Sequence, residues 1–448
     1  MNASEFPSDA IGLHVEYCSV TPHATVSTVP APESSKLASA AARSPRLLSV
    51  DLVRGFDVLL MLFVNEMAGV TGTPAFLRHV PANADGMTIT DVVFPAFLFV
   101  TGMAIPLAIG ARLRRGDARS EVWQHVLTRS LALVVIGVFM VNAEHGAAPG
   151  LLSPDTWNVL MTLAVLLVWQ SPVERRSRRP RRLVVAAGFA SLVALALVYR
   201  STDVTGIIQL RPQWWGILGL IGWAYLAAST VYLFTGNRPG VLLAAAALLY
   251  GLYFVDALAM MPGLAAVRPY FSVGSTLGSH GALVLTGTVL TAWLLRRRER
   301  DAPVVAFVWR AGAYAAVLGA AGVFLHQFRD VHHAFWINKP MATPAWCLIS
   351  AAWTVAAWTV LFVVADVRGS RRWPAVVTIA GENALLTYLL APLALSLLAL
   401  SATITGGVNL YAALGDTLVI GTIRSIAFAW VIVWISGWLR SRGVRIQI

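Results

Sequence analysis

The sequence predicts an all-α protein that lies in a membrane as a bundle of about twelve transmembrane helices. Of its 448 residues, 57% are hydrophobic and only 12% are charged, whereas roughly a quarter of the residues in a soluble domain are charged. Apolar stretches of about 20 residues, the length that crosses some 30 Å of hydrocarbon, recur from Leu52 to the end of the chain. The two cysteines, Cys18 and Cys347, are too few and too far apart for a disulfide framework or a thiolate metal site.

The apolar stretches divide into twelve predicted helices, of which the least sharply separated pair is joined only by the sequence TGNRPG at 235–240. The predicted helices are 52–68, 88–111, 125–142, 157–171, 183–199, 214–234, 240–262, 281–295, 304–325, 345–365, 375–400 and 415–438.

Residues 1–46 differ in composition from the rest of the chain. They are rich in Ser, Pro, Ala and Thr, lack a sustained apolar run, and cannot bury enough apolar surface to fold. No positively charged start followed by an apolar core and a cleavage site is present. We therefore expect a disordered cytoplasmic tail over 1–46 and a membrane domain over 47–448.

Basic residues fall mainly between alternate pairs of predicted helices. The runs at 112–119, 175–182 and 296–300 alternate to one side, whereas the opposite loops carry isolated basic residues such as Arg78 and Lys339. By the positive-inside rule the rich side is cytoplasmic. We therefore expect a multi-pass protein of a bacterial inner membrane with both termini in the cytoplasm. The net charge of +12 then follows from topology and does not indicate a nucleic-acid partner.

Polar residues gather at the first predicted outer loop, between the helices 52–68 and 88–111. Asn65 and Glu66 end the first helix, His79 lies in the loop, and Asp91 follows one turn into the second helix. A histidine with a near-neutral pKa accepts a proton from an amine or hydroxyl, or becomes acylated, and an adjacent carboxylate such as Asp91 or Glu66 orients its ring. The alternative is a set of ordinary polar residues at the membrane surface.

Several motifs in one order resemble a known family of membrane enzymes. They are R-x-x-S-x-D-x-x-R-G at 46–55, V-N at 64–65, His79, D-G-M-T-I-T-D-V-V-F-P at 85–95, F-x-F-x-x-G at 97–102, G-V-F-M-V-N at 137–142, I-N-K at 337–339, A-T-P-A-W at 342–346 and G-E-N-A-L-L-T-Y at 381–388. In this order the chain resembles the transmembrane acyltransferases of the heparan-α-glucosaminide N-acetyltransferase family and their bacterial relatives, over nearly the whole membrane region.

The resemblance implies a membrane acetyltransferase that uses acetyl-CoA as its acyl donor. It implies transfer from cytosolic acetyl-CoA to a hydroxyl or amine of an extracytoplasmic sugar or glycan, with His79 as the catalytic residue and Asn65 beside it. The family pattern H-x-x-W-[HN]-G is replaced here by the longer HVPANADG at 79–86, which leaves the acceptor open. Relative to the family, the helices at 214–262 are expected to be a pair inserted into a ten-helix core.

Further candidate binding residues lie on both sides of the predicted bundle. Asn338 and Lys339 precede a helix on the outer side and are candidates to bind an acceptor oxygen or an anion, the alternative being a solvated loop. Glu382 and Asn383 open the eleventh predicted helix from the cytoplasmic side, where they either line a CoA channel or bond to a neighbouring helix. Arg54 lies on one helix face with Asp57, as a binding residue or as one half of an interfacial ion pair.

Two smaller expectations concern Arg424 and the histidines near Asp330. Arg424 is a lone cation within its predicted helix and suits a phosphate or a carboxylate such as Glu382. His332 and His333 lie near His326 and Asp330, but no helical ligand pair supports a metal site, so no metal is expected.

A different class of function also fits a chain with twelve helices. An amino-sugar transporter or related permease is the alternative, although no convincing repeat relates the two halves as many carriers require. A third reading is a scaffold protein of the cell envelope. Membrane lipids and a sugar acceptor are the expected partners, and the sequence leaves the oligomeric state open, a homodimer included.

Overall fold

A computed structural model describes residues 47–144, 150–171, 178–202 and 206–446, all within one compact unit that spans 46–448. The predicted tail at 1–46 lies outside the described residues. The long helices are α1 Leu48–Met67, α2 Ile89–Arg114, α3 Arg119–Glu144, α4 Pro154–Trp169, α5 Arg178–Val198, α6 Gly216–Thr235, α7 Pro239–Ala257, α8 Gly274–Glu299, α9 Val304–His326, α10 Pro344–Val367, α11 Ala375–Glu382, α12 Ala384–Thr405 and α13 Leu418–Ser441.

The predicted all-α membrane fold is confirmed. Among the described residues, ten helices are long and apolar enough to cross a membrane. Two further predicted helices form but differ from these ten in length or in charge. Helix α4 is shorter, and α1 carries the ionisable residues Asp51, Arg54, Asp57 and Glu66. Ionisable groups inside a membrane are costly and tend to mark functional sites. The ionisable residues of α1 therefore indicate a functional role for this helix.

One predicted helix is divided in the structure. The stretch 375–400 was expected to be continuous, but Asn383 leaves the helical conformation (φ −125°, ψ 30°) and separates α11 from α12. The shorter piece, α11, packs backbone to backbone on α1 through Gly55 and Gly381. A Cβ atom at Gly55 would lie 2.0 Å from the carbonyl oxygen of Val377, and one at Gly381 would lie 2.0 Å from that of Asp51.

Contacts between loops define two ends of the bundle. At one end the 68–88 loop meets the segments before α10 and α13, through Asp85 with His326 and Thr71 with Asp416. At the other end Arg440 pairs with Glu382, and residues 170–171 form a two-residue antiparallel strand pair with 445–446. We call the first end the histidine face and the second the basic face; the partition matches the alternation predicted from the arginine runs.

The helices that carry the candidate site residues meet at the centre of the bundle. The Thr288 hydroxyl of α8 donates to the carbonyl of Gly102 in α2 at 3.0 Å, and α10 contacts both α1 and α2. The pair α6 and α7 lies within this bundle, with α6 against α3 and α7 against α8. This packing places the first turn of α2 between α1, α8 and α10.

Candidate active site

His79 lies on the loop between α1 and α2, close to the point where α2 begins. A short 3₁₀ turn at Ala75–Leu77 brings the chain back towards the bundle. Helix α2 then opens with a capping box, in which Thr88 and Asp91 exchange side-chain and backbone hydrogen bonds. The Thr88 hydroxyl also donates to the carbonyl of Arg78 at 2.7 Å. The residue before His79 is therefore tied to the helix start.

His79 and Asp91 form a close side-chain pair at the histidine face. The Nδ1 atom of His79 lies 2.7 Å from Oδ1 of Asp91. The His79 side chain is 43% exposed, whereas that of Asp91 is 2% exposed. A buried carboxylate at Nδ1 holds the proton of a neutral imidazole there. The Nε2 atom is then the unprotonated nitrogen, free to act as a base or a nucleophile.

The buried carboxylate of Asp91 is held from several sides. Its Oδ2 atom accepts from the backbone N–H of Thr88 at 3.1 Å, from that of Val80 at 3.3 Å and from the Thr88 hydroxyl at 3.2 Å. The indole Nε1 of Trp346, which is fully buried in α10, donates to the Asp91 carbonyl at 3.1 Å. These bonds fix the carboxylate before any substrate arrives.

Lys339 completes this group from the loop before α10. Its Nζ lies 3.3 Å from Nδ1 of His79 and 3.9 Å from Oδ1 of Asp91. An ammonium group only donates, so with Nδ1 protonated the attraction runs to the carboxylate. Burial lowers the pKa of Lys339, and the charge of Asp91 opposes that shift in part.

Asn338 joins the two loops that carry His79 and Lys339. Its side-chain Nδ2 donates to the carbonyls of Ala82 and Ala84 at 2.9 and 3.0 Å, and its Oδ1 accepts from the N–H of Met341 at 2.9 Å. A second link runs from the N–H of Ile337 to Asp85 at 2.7 Å. With all three polar contacts of its amide used, Asn338 holds Lys339 in place.

The other two members of the predicted cluster, Asn65 and Glu66, make no hydrogen bond to His79 or Asp91. Asn65 is exposed and makes no side-chain hydrogen bond to another described residue. Glu66 accepts a hydrogen bond from the hydroxyl of Tyr411, and the guanidinium of Arg424 lies 4.5 Å from the centre of the Tyr411 ring. Arg424 thus sits near Glu66, and Glu382 pairs with Arg440 at the opposite end.

A cavity of about 820 Å³ extends into the bundle from the basic face. Cationic and imidazole side chains from four segments line it, namely Arg54, His125, Arg129, Arg440 and Arg445. Its apolar lining includes Phe94 of α2 and Ile217 of α6, which lie within about two turns of the ends of those helices at the histidine face. The cavity therefore reaches through much of the bundle, towards the turn that carries Asp91.

Three predicted binding residues meet at this cavity. Arg54 donates to Asp51 at 3.2 Å and to the carbonyl of Gly381 at 3.4 Å. Glu382 pairs with Arg440, and Asn383 lies at the break before α12 with a buried Nδ2 that lacks a partner among the described residues. The break exposes the N-terminal end of α12 to the cavity, which favours anions.

One residue of interest, His280, was not singled out by sequence analysis. It follows a π-helical turn at Gly274–Ser279, an element found frequently at functional sites. Its ring is buried and packs edge-on against Phe94 at 5.5 Å and Trp346 at 6.4 Å between centroids. Neither ring nitrogen has a hydrogen-bond partner in the described part of the chain. The π-helical turn before His280 draws attention to this residue, and no sequence pattern predicted that turn.

The remaining histidines of the histidine face have structural partners. Nε2 of His326 lies 2.8 Å from Oδ2 of Asp85, and the rings of His332 and His333 lie 3.9 Å apart. No group of three or more metal-ligating side chains occurs among the residues that the structure describes. His145 lies outside them.

Comparison with known proteins agrees with the motifs. Residues 46–256 match a family model described as a domain of unknown function, DUF5009. A segment of 122 residues is 34% identical to heparan-alpha-glucosaminide N-acetyltransferase of Homo sapiens, and one of 121 residues is 34% identical to that of Mus musculus. Over these segments the chain is related to this acyltransferase. The DUF5009 match also includes α6 and nearly all of α7, the pair expected to be an insertion.

The similarity is partial in length. Each match covers 27% of this chain and 17% of the mammalian protein. The similarity therefore supports a family relationship. The activity proposed for this chain rests on its own residues.

Proposed function

We propose that this protein is a membrane acetyltransferase that moves acetyl from cytosolic acetyl-CoA to a hydroxyl or amine of an extracytoplasmic sugar. One observation carries the proposal: helix α2 holds the His79–Asp91 pair at one end and lines the cationic cavity along its length. By the positive-inside rule the basic face is cytoplasmic. A donor that enters there would present its acetyl group near His79.

The cavity suits the two chemically different parts of acetyl-CoA. The phosphates would lie at the basic face, where Arg54, Arg129, Arg440 and Arg445 bind phosphate by charge-assisted hydrogen bonds. The N-terminal end of α12 and the side-chain Nδ2 of Asn383, which has no partner among the described residues, favour the same anion. The long pantetheine arm would extend along the apolar lining and bring the thioester towards the first turn of α2.

The reacting atom in the proposal is Nε2 of His79. In direct transfer, the acceptor attacks the thioester carbonyl, Nε2 takes the proton of the acceptor, the CoA thiolate leaves, and Nε2 returns the proton to the thiolate. In two-step transfer, Nε2 attacks the thioester carbonyl first and the CoA thiolate leaves. The acceptor then attacks the acetyl group on Nε2, Nε2 leaves, and the proton of the acceptor passes through Nε2 to the CoA thiolate. Asp91 stabilises the cationic imidazole in both routes. The exposed amide of Asn65 is a candidate to orient the acceptor or the thioester carbonyl.

The test uses detergent-purified protein and radiolabelled acetyl-CoA. We expect acetyl-CoA to bind and to be turned over or hydrolysed slowly, and His79→Ala to lose turnover by about 10²–10⁴-fold, the usual contribution of a general base. His332→Ala is the matched control, because His332 shares the histidine face. Full turnover by His79→Ala, or no binding at millimolar acetyl-CoA, would reject the proposal, and the amino-sugar transporter would then be tested by uptake.

A further inference from the structure

A second cavity lies on the side of the bundle, between α1, α2 and α10. This lateral groove has a volume of about 1010 Å³, and its lining is mainly apolar, with Leu60, Ala96, Trp353 and Ala357 among its residues. Trp353 is 65% exposed, so the groove opens sideways, where lipid surrounds the bundle. Along α10 it extends from Ile349 to Leu361, about 18 Å at 1.5 Å per residue, which is more than half of the ~30 Å hydrocarbon layer.

The outer end of the lateral groove adjoins the candidate active site. Thr88 lines the groove, and its backbone N–H and hydroxyl both donate to Asp91. Ile337 also lines the groove, two residues before Lys339. A molecule whose hydrocarbon chain lay in the groove would therefore carry its head group to the surface around Nε2 of His79.

The wall that α1 contributes to the groove contains Asp57, near the middle of that helix. This residue lines the groove and is only 7% exposed, and its Oδ2 has no hydrogen-bond partner among the described residues. Ionisable side chains of transmembrane helices rarely face bulk lipid and usually face a cavity or a binding pathway. The wall formed by α1 thus differs from an ordinary lipid-facing surface.

Charge at the outer end favours an anionic linkage in the occupant. Arg78 is exposed and its carbonyl accepts from Thr88, and the Lys339 ammonium lies 3.9 Å from Oδ1 of Asp91. Two cations at the mouth of an apolar groove match an amphiphile with a hydrocarbon chain and a phosphate beside its sugar.

We propose that the acceptor is a lipid-borne saccharide, whose hydrocarbon chain lies in the lateral groove between α1, α2 and α10 while its sugar reaches His79. This inference rests on the proposed acetyltransferase function and adds the substrate class. It separates this chain from an enzyme whose acceptor is a water-soluble sugar.

The test compares acceptors that share one head group, in nanodiscs of phosphatidylcholine. Glucosamine and hexadecyl β-glucosaminide are the probes, and a hexadecyl glucosaminide with a diazirine in mid-chain reports binding without catalysis. Ala357→Phe narrows the groove, and Ala356→Phe is the matched control, because Ala356 is exposed on the same helix but does not line the groove. Thermal unfolding of both variants checks their folding.

We expect the KM of the hexadecyl acceptor to be at least tenfold below that of glucosamine. Ala357→Phe should raise the KM of the hexadecyl acceptor about tenfold, because the narrower groove would bury roughly two fewer methylene groups of the chain. Ala356→Phe should match the wild type. The diazirine should label groove residues of α10, and unlabelled hexadecyl glucosaminide should compete where excess phosphatidylcholine does not.

Two results would overturn the inference while leaving the proposed function intact. One is equal use of both acceptors by all three proteins, alongside His79-dependent turnover of acetyl-CoA. The other is labelling outside the groove, or competition by phosphatidylcholine for the labelled site. Either would show that the groove binds ordinary membrane lipid, and this result decides the question even when neither probe is acetylated. Absence of acetyl-CoA turnover in the wild type would instead count against the proposed function.

Discussion

Oδ1 of Asp91 lies 2.7 Å from Nδ1 of His79, although the two residues are 12 positions apart and belong to a helix and a loop. The other oxygen of the same carboxylate caps the start of α2 through Thr88. One buried side chain thus serves both the helix end and the imidazole. Because its position is fixed by the fold, the orientation of the His79 ring is set before substrate binds.

Asp91→Asn tests the role of this carboxylate. An amide retains an oxygen for the helix cap but presents a donor to Nδ1, which favours the tautomer with the proton on Nε2. We expect a loss of acetyl transfer on the order of 10³-fold, measured as kcat, and a loss of unfolding free energy of about 1 kcal/mol from the weakened cap. Thr88→Ala, which weakens the same cap but keeps the carboxylate, should lose stability with little change in kcat.

Arg445→Gln tests the assignment of the cationic cavity to the donor. Removing one charge-assisted contact to a phosphate should raise the KM for acetyl-CoA about tenfold, and higher salt should reduce the difference between the variant and the wild type. Arg442→Gln is the matched control, since Arg442 packs over Trp438 and does not line the cavity. Equal KM values for the two variants would contradict the assignment.

The pH dependence of activity tests the position of Lys339. Burial lowers the pKa of Lys339, so its ammonium loses the proton at a lower pH than the usual ~10.4 of lysine. If the charged form holds Asp91, kcat/KM should fall as pH rises through this lowered pKa. Lys339→Arg, which stays charged, should remove that alkaline decline.

Asp91→Asn tests the same ion pair from its other side. The Asp91 charge raises the pKa of Lys339 against the effect of burial. Asp91→Asn removes both that charge and the carboxylate that the ammonium holds, so its residual activity should show no such alkaline decline. A decline that stays at the same pH in both Lys339→Arg and Asp91→Asn would show that Lys339 is not the titrating group.

His280→Leu should separate stability from activity. The buried His280 ring has two nitrogens without partners in the described structure, and an apolar side chain of similar size avoids that cost. We expect a gain in unfolding free energy of about 1–3 kcal/mol, measured by thermal or chemical unfolding, together with reduced acetyl transfer. His326→Leu should instead lose stability, because it leaves Oδ2 of Asp85 without its hydrogen bond to His326. A stable and fully active His280→Leu would show that the buried imidazole has no role in the reaction.

Much of the fold was predictable because hydrocarbon imposes a simple rule on sequence. The length of the apolar stretches predicted the helices, and the arginine runs predicted two different faces. The contact of Asp85 at one end and that of Glu382 at the other agree with those faces. The break at Asn383 was not predictable, because both halves of 375–400 are apolar and the role of Gly381, two residues before Asn383, depends on the distant α1.

The candidate site was predictable only where its parts are close in sequence. The spacing of Thr88 and Asp91 is that of a capping box, which places Asp91 at the start of α2 near His79. Lys339 and His79 are 260 positions apart, and only the motif order pointed to both. Glu66 was grouped with His79 by sequence proximity, but its partner Tyr411 lies 345 positions away, beyond any local pattern.

A double-mutant cycle on His79 and Asp91 tests the central claim most directly. The kcat for acetyl transfer from acetyl-CoA would be measured for the wild type, His79→Ala, Asp91→Asn and the double variant. If Asp91 acts through the imidazole, Asp91→Asn should cost on the order of 10³-fold in the wild type and nothing further in His79→Ala, as for residues that act as a unit. Losses that multiply in the double variant would mean that the two residues act independently, and the proposed pair would be wrong.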